Sequence, residues 1–341
     1  MKNSADPYDE LMRPNVTVRQ LEYLVAIAET GGMTAAAKLC HVSQSAVSLA
    51  MAELERALDV RLFIRGSRRG AVLTDAGRQV TADARKVITA MSELGASARS
   101  LGQDLSGRLD IGCYAPIAPF HVPAAIATFG TVRPEVDVQF VEGTLPEIQN
   151  YLLDGRCELA FLYQQDLVAD IDTVVLHDRQ PSVLLPGHHR LARRRSVALA
   201  ELNDEPFVLL DVPPSEHYFQ TVFDAAGLEM RPAYRASSFE LARALVARGL
   251  GYSMAVQQPA VDQSLEGLEV VTRPLSGTVP TTPVVMGWAA GGRLTRRAEA
   301  FLAHCRTTFA MTEQSQPTAR ATSVAPGGRA ARGTRSRILG R

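Results

Sequence analysis

A chain of 341 residues is long enough for two or three domains. Its 36 basic residues balance its 36 acidic ones, which argues against a protein that coats nucleic acid indiscriminately but allows a specific binder with local positive charge. No apolar run is long enough to span a membrane, residues 1–15 lack an apolar signal core, and a cytoplasmic protein with a flexible N-terminus is expected. The four cysteines, Cys40, Cys113, Cys157 and Cys305, are scattered without CxxC or Cys/His ligand spacing. Buried free thiols are therefore expected, with no metal and no cofactor; a redox sensor is the less favoured reading.

The first predicted element is a helix with Val18, Leu21, Val25 and Ala28 on one face, ended by Gly31-Gly32. Two short helices joined by a tight polar turn follow between Gly32 and Leu62. Thr34 is the expected N-cap of the first, and Ala35, Ala36 and Ala37 favour helix. Cys40-His41-Val42-Ser43 forms the turn, and Ser43 can cap the second helix. Val47, Met51, Leu54 and Leu58 share one apolar face of that helix, at i, i+4, i+7 and i+11. Gln44, Ser45 and Ser48 begin the opposite face, where small polar groups suit base edges and phosphates. The pattern is a helix-turn-helix, although two packed helices can also simply close a small domain.

The next segment, residues 61–74, carries two short apolar runs around a Gly/Ser/Arg turn, a hairpin signal. Arg61, Arg65, Arg68 and Arg69 lie in it with no acid among them. Alone they would read as a solvated loop. Beside a helix-turn-helix they read as a wing able to contact phosphates.

Residues 17–77 resemble the N-terminal domain of LysR-type transcriptional regulators. The resemblance rests on Leu21, Ala36-Ala37, Leu39, Val42-Ser43-Gln44, Ser48, Leu54-Glu55, Leu58, Leu62-Phe63, Arg65 and Leu73-Thr74-x-x-Gly77. Ser45 stands where the family often has proline, Leu49 where it often has arginine, and Asp59 where it usually has glycine. Leu49 implies one phosphate contact fewer, and Asp59 a reshaped turn into the wing.

Residues 75–103 are predicted to form a linker helix, opened by a Thr74-Asp75 cap. Val80, Ala84, Val87, Met91, Leu94, Ala98 and Leu101 are spaced 4-3-4-3-4-3, a heptad seam. A helix lying on its own domain would also be amphipathic. The narrow seam with alanines favours a helix pair between two subunits, and the resemblance implies the same. A hinge is expected at residues 101–107.

From Arg108 the period changes to strands alternating with helices, which implies α/β with a largely parallel sheet. Strands are predicted near 109–113, 136–141, 158–162, 173–178, 181–186, 206–211, 232–236, 251–255, 268–272 and 283–288. Helices are predicted near 120–131, 145–153, 216–227, 239–248 and 294–310. Leu109-Asp110-Ile111-Gly112, Leu152-x-x-Gly155-x-x-Glu158-Leu159-Ala160, Pro206-Phe207-Val208-Leu209-Leu210 and 245–251 resemble the two-lobed, periplasmic-binding-protein-like effector domain of the same family. The resemblance implies a multidomain chain. A winged helix-turn-helix spans 16–74, and an effector domain spans 108–310. Lobe I takes about 108–178 and 280–310, and lobe II about 181–275. The tail 312–341, rich in Arg, Ala, Gly, Ser, Thr and Pro, cannot bury a core and is expected to be disordered.

In open α/β sheets, ligands sit beyond the carboxyl ends of strands, facing helix N-termini. That places Ala115, Pro116, Thr144, Tyr163, Pro213, Ser215 and Ser238 at the effector site. Thr144, Ser215 and Ser238 are the hydroxyls best placed to hold a carboxylate or similar ligand, and each is also an ordinary N-cap. Ala115-Pro116 replaces the small hydroxyl residue that the family often carries. Tyr163, Tyr218 and the prolines predict an aromatic or apolar side. His188-His189 and the arginines at 190 and 193–195 are read as a solvated loop with no acidic partner near. No GxSxG, HExxH or Walker loop is present, so no catalytic residue is assigned.

The resulting expectation is a ligand-responsive regulator. Its implied partners are double-stranded promoter DNA, a small-molecule effector, itself as homodimer or homotetramer, and RNA polymerase. The alternative is a solute-binding or enzymatic α/β protein with an N-terminal domain that plays no part, which predicts ligand binding or turnover without operator affinity.

Overall fold

The computed structural model describes residues 16–64, 71–99 and 105–315. Helix α1 (Val18–Thr30) opens on a capping box: Thr17 accepts from the Gln20 amide and the Gln20 side chain accepts from the Thr17 amide. It ends at Gly31, whose positive φ of 72° lets its N–H reach the Ile27 carbonyl. Its buried stripe is centred on Leu24 and Ile27, with Leu21, Tyr23 and Ala26 beside them, rather than on Val18, Val25 and Ala28, which are half-buried. The reason is that α1 is packed by three neighbours: α2 (Met33–Leu39), α3 (Gln44–Leu58) and α4 (Asp75–Arg99). A helix covered from two sides buries a wider and rotated stripe than its simplest period suggests.

Gly32 in extended backbone precedes α2, so Thr34 lies inside the first turn and caps nothing; that expectation is corrected. Ser43 does cap α3, accepting from the Ala46 amide at 3.2 Å. Val47, Met51 and Leu54 are fully buried against α1, and Leu58 is half-buried. Asp59 ends α3 in the left-handed region at φ 50°, a conformation that Asp tolerates better than most residues. Phe63 and Leu73 then pair as an antiparallel bridge, with the Ile64 amide donating to Val72 O at 2.8 Å. These are the two stems of the wing.

Helix α4 begins on Thr74, whose hydroxyl accepts from the Gly77 amide at 2.9 Å. The heptad seam divides along its length. Val80 and Ala84 pack into the N-terminal core, whereas Val87, Met91 and Leu94 are exposed, Leu94 by 69%. The Ala98 side chain and Leu101 lie outside the described residues, as do residues 1–15 and 316–341; residues 312–315, expected in the disordered tail, instead continue the last helix, to Ser315.

The rest is two five-stranded sheets. In chain order come β1 (Gly107–Tyr114), α5 (Ala118–Val132), β2 (Val136–Gly143), α6 (Leu145–Leu153), β3 (Leu159–Tyr163) and β4 (Ile171–His177). Then follow β5 (Ser182–Pro186), β6 (Phe207–Leu210), α7 (Ser215–Ala225), β7 (Pro232–Ala236), α8 (Phe239–Ala247), β8 (Tyr252–Ala255) and β9 (Val270–Pro274). The chain returns through β10 (Val284–Ala289) and α9 (Arg296–Ser315). The first sheet runs β2-β1-β3-β10-β4 and the second β7-β6-β8-β5-β9. β1, β2 and β3 are parallel, with β10 antiparallel to β3 and β4. In the second sheet β6, β7 and β8 are parallel, with β5 antiparallel to β8 and β9. Strands β3 and β6 are continuous apolar runs because both of their faces are covered. The sheets therefore form two lobes, and the segments crossing between them enter at β4–β5 and at β9–β10.

The loop at 188–195 is held by an acid that the local sequence does not show. His189 Nε2 lies 2.7 Å from Glu205, and Arg190 2.9 Å from the same carboxylate. The expectation of no acidic partner is corrected: Glu205 arrives from 16 residues downstream.

Candidate nucleic-acid interface and effector cleft

Ser43, Gln44, Ser45 and Ser48 are all exposed at the start of α3. The Ser43 and Ser45 hydroxyls are 2.9 Å apart, so they form one small polar cluster at the helix N-terminus, where the dipole favours phosphate. Ser48 sits one turn further along and lines a groove together with Thr34 of α2 and Ile64 of the wing. Thr34 thus faces the same concave surface, although its hydroxyl does no capping. Leu49, on the same exposed side of α3, is 61% exposed and uncharged. Arg61 is exposed, and its guanidinium lies 3.9 Å from Glu55. Arg65, Arg68 and Arg69 lie outside the described residues.

The wing is tied to α3 by one side chain. Glu55 Oε1 accepts from the Leu62 amide at 2.7 Å and the Phe63 amide at 3.3 Å. Gly77 completes the joint from the other side. A Cβ there would stand 2.2 Å from the Leu62 carbonyl oxygen, so only glycine lets α4 approach the wing this closely. Sequence reasoning placed Glu55 and Gly77 in a motif without a role; their work is to hold the wing at a set angle to α3.

Helix α4 also meets lobe I. Arg85 is buried; its Nη1 donates to Asp154 O at 3.4 Å and its Nη2 lies 3.8 Å from Glu29 of α1. This arginine joins α1, α4 and the turn after α6.

Between the lobes lies a narrow cleft with about 40 Å³ of enclosed volume, beyond the carboxyl ends of β1, β3, β6 and β8. Its walls include Pro116, Tyr163 and Ser215 from the expected set; Ala115, Thr144, Pro213 and Ser238 stand outside that lining. Tyr114, Asp166 and Gln257 also belong to it; the strand-end rule reaches Tyr114 and Gln257, and only Asp166 was missed from sequence. Tyr114 and Gln257 directly follow or end strands, a usable signal; Asp166 lies in the β3–β4 loop with no local cue. The hydroxyls expected to grip a ligand are engaged within their own segments instead. At the start of α6 the Glu147 carboxylate accepts from both the Thr144 amide and Thr144 Oγ1, each at 2.8 Å. Ser215 Oγ donates to the Leu210 carbonyl and accepts from the Val212 amide. Ser238 caps α8 by accepting from the Leu241 amide at 3.3 Å.

The lobes are stitched across the cleft. Tyr114 Oη donates to Val212 O at 2.6 Å, and the Leu145 amide donates to Pro213 O at 3.3 Å. Gln257 bridges Tyr163 at 3.1 Å and His121 at 3.2 Å. His217 Nδ1 lies 3.0 Å from Asp166. His121 stands among Phe161, His177 and Phe309. Burial, assisted by Arg179, holds its imidazole down to about 4, so it is neutral and Gln257 can orient it.

An exposed, capped helix beside a hairpin wing, joined to a two-lobed module with an interlobe cleft, defines a DNA-binding regulator controlled by a ligand. Comparison with known proteins is specific. Residues 18–78 match the bacterial regulatory helix-turn-helix protein, lysR family, and residues 102–310 match the LysR substrate binding domain. The chain belongs to the LysR family of transcriptional regulators, which are not enzymes. It is 29% identical over 265 residues to the HTH-type transcriptional regulator YvbU of Bacillus subtilis, covering 77% of this chain and 89% of that one. It is 30% identical to a hydrogen peroxide-inducible genes activator of Dickeya chrysanthemi, over 72% of this chain and 82% of that one. A full-length OxyR variant from Pseudomonas aeruginosa superposes with a TM-score of 0.68 at 27% identity, covering 86% of this chain and 98% of that one.

Proposed function

We propose that this regulator acts in the cytoplasm as a homodimer or homotetramer, and that its 16–74 unit reads promoter DNA while its 108–310 unit senses an effector between the lobes. The exposed, Ser43-capped start of α3 is the observation that carries the reading: it leaves Gln44, Ser45 and Ser48 facing outward from a rigid, fully packed helix. Those residues and Thr34 contact base edges and nearby phosphates, and Arg61, Arg65, Arg68 and Arg69 contact the backbone. The exposed stripe of Val87, Met91 and Leu94, continued by Ala98 and Leu101 and backed by Val80 and Ala84, pairs with the same stripe of a second chain within the 75–103 linker. Two recognition helices then sit on two half-sites. An effector that prefers one closure of the cleft, lined by Pro116, Tyr163 and Ser215 and flanked by Ala115, Thr144, Pro213 and Ser238, shifts the lobes. Arg85 gives that shift a direct path to α1 and α4. RNA polymerase is the partner through which a bound dimer would alter transcription.

A competition gel-shift of the full chain on its own upstream DNA tests the reading. Retention of the complex under excess scrambled DNA supports it. Equal loss to specific and scrambled competitor refutes it.

A further inference from the structure

The effector cleft carries information about the charge of what it binds. Five of its lining side chains are aromatic: Tyr114, Tyr163, Tyr218, Phe219 and Phe239. Its one charged lining group is Asp166, and no Arg, Lys or His lines it among the described residues. Arg179 is near enough to His121 and His177 to add to the effect of burial on their imidazoles, yet it does not line the cleft.

An anion could still be held by backbone amides at helix N-termini. Here several of those amides are already used. The Ala115 amide donates to Gly143 O at 2.9 Å, the Ile117 amide to Tyr114 O at 2.8 Å and the Ser215 amide to Val212 O at 2.9 Å. At the start of α6 the Thr144 amide is taken by the Glu147 carboxylate at 2.8 Å, and the Leu145 amide by Pro213 O. The Glu147 carboxylate occupies the place where a ligand carboxylate would benefit from the α6 dipole.

Donors and acceptors suited to a different ligand remain. Gln257 donates to the Tyr163 hydroxyl, whose own proton has no acceptor among the described residues. Burial raises the Tyr163 phenol, so it stays protonated and able to donate. Asp166 supplies an acceptor at the mouth, shared with His217.

Resting on the reading of this cleft as the effector site, we propose that it selects a single-ring aromatic compound that is neutral or positively charged, and that it excludes aromatic carboxylates. The ring stacks among the tyrosines and phenylalanines, a polar substituent meets the Tyr163 hydroxyl, and a protonated amine meets Asp166. A carboxylate would lose its water and find Asp166 as its charged neighbour, a cost that the single free donor of Tyr163 does not offset.

Calorimetric titration of the full chain with benzamide, benzylamine and benzoate, three probes of matched shape, tests the proposal. Benzamide and benzylamine are expected to bind, and benzoate to bind at least about tenfold more weakly, a difference of about 1.4 kcal/mol. Asp166→Asn should weaken benzylamine severalfold and leave benzamide unchanged. Gln165→Trp, which fills the cleft from an accessible loop position, should abolish both. Benzoate binding as tightly as benzamide, or no binding of either favoured probe at millimolar concentration, overturns the proposal. If probes bind but Gln165→Trp has no effect, the reading of the cleft as the effector site fails as well; if that variant blocks a tightly bound benzoate, only the charge selectivity fails.

Discussion

Replacing Gly77 with alanine adds one methyl group at the joint between the wing and α4. That methyl would stand 2.2 Å from Leu62 O and 3.1 Å from Leu73 Cδ2. The carbonyl must retreat by on the order of 1 Å to restore ordinary contact. It cannot retreat alone, because it accepts the Thr74 amide at 3.0 Å. Loss of that bond costs about 1 kcal/mol, and the forced shift of backbone a further 1–3 kcal/mol or so. Alanine returns about 1 kcal/mol through its better helix propensity. The net is a local destabilisation of roughly 2 kcal/mol, about thirtyfold in the opening equilibrium of the wing. Hydrogen exchange followed by mass spectrometry would read this in peptides covering residues 60–80. Gly130→Ala is the control: that glycine lies in α5 with nothing near its missing Cβ, and the substitution should stabilise lobe I by about 0.5–1 kcal/mol. Unchanged exchange in the wing of Gly77→Ala would refute the reasoning, as would equal damage from Gly130→Ala.

Acid should weaken lobe I through its buried histidines. Burial first, then Arg179, holds His121 to about 4 and His177 to about 3, below the ordinary value of 6.5. Both are neutral in the fold, so the unfolded chain binds more protons as pH falls below about 6.5. The stability they allow is complete above that pH and declines toward pH 4; for His121 the loss at pH 5 is about 2 kcal/mol. Denaturant titrations between pH 7 and 5 should show this slope, and His121→Leu should reduce it, leaving the part due to His177. Peroxide should leave the three effector-domain cysteines as free thiols, because burial raises the Cys157 and Cys305 thiols to about 12 and the Cys113 thiol well up, which suppresses the reactive thiolates. Oxidation of any of these three by micromolar peroxide, read by peptide mass spectrometry, would contradict that. Leu94→Glu should shift the chain toward monomer in sedimentation at micromolar concentration, since it places charge on the exposed stripe of α4; an unchanged oligomer would move the interface elsewhere.

Elements governed by local rules were legible in the sequence. The Ser43 cap, the Val47–Met51–Leu54 face and the fully buried strands follow from spacing and residue type, and their ends agree with prediction within a few residues. What escaped was set by distant partners. Thr34 looked like a cap, but Gly32 takes the extended backbone that precedes α2. The heptad period is continuous in sequence, yet α1 claims Val80 and Ala84, and only the later positions remain exposed. Glu205 reaches His189 from another loop, which no local pattern reveals. At the cleft, the strand-end residues Pro116 and Tyr163 line the cavity, whereas the hydroxyls favoured for a ligand are engaged within their own segments. A cap and a ligand contact use the same residue types at the same positions, so sequence alone does not separate them.

Central to the account is base reading by the exposed start of α3, which fluorescence anisotropy can measure on the bound promoter site and on single-base variants of it, at two salt concentrations. Gln44→Ala should weaken the intact site by about 1–3 kcal/mol and relax discrimination at one base position, with the salt slope unchanged. Arg68→Ala with Arg69→Ala should weaken all sequences alike and reduce the salt slope. If Gln44→Ala weakens every sequence equally, or leaves affinity for all of them untouched, α3 does not read the DNA and the account is wrong.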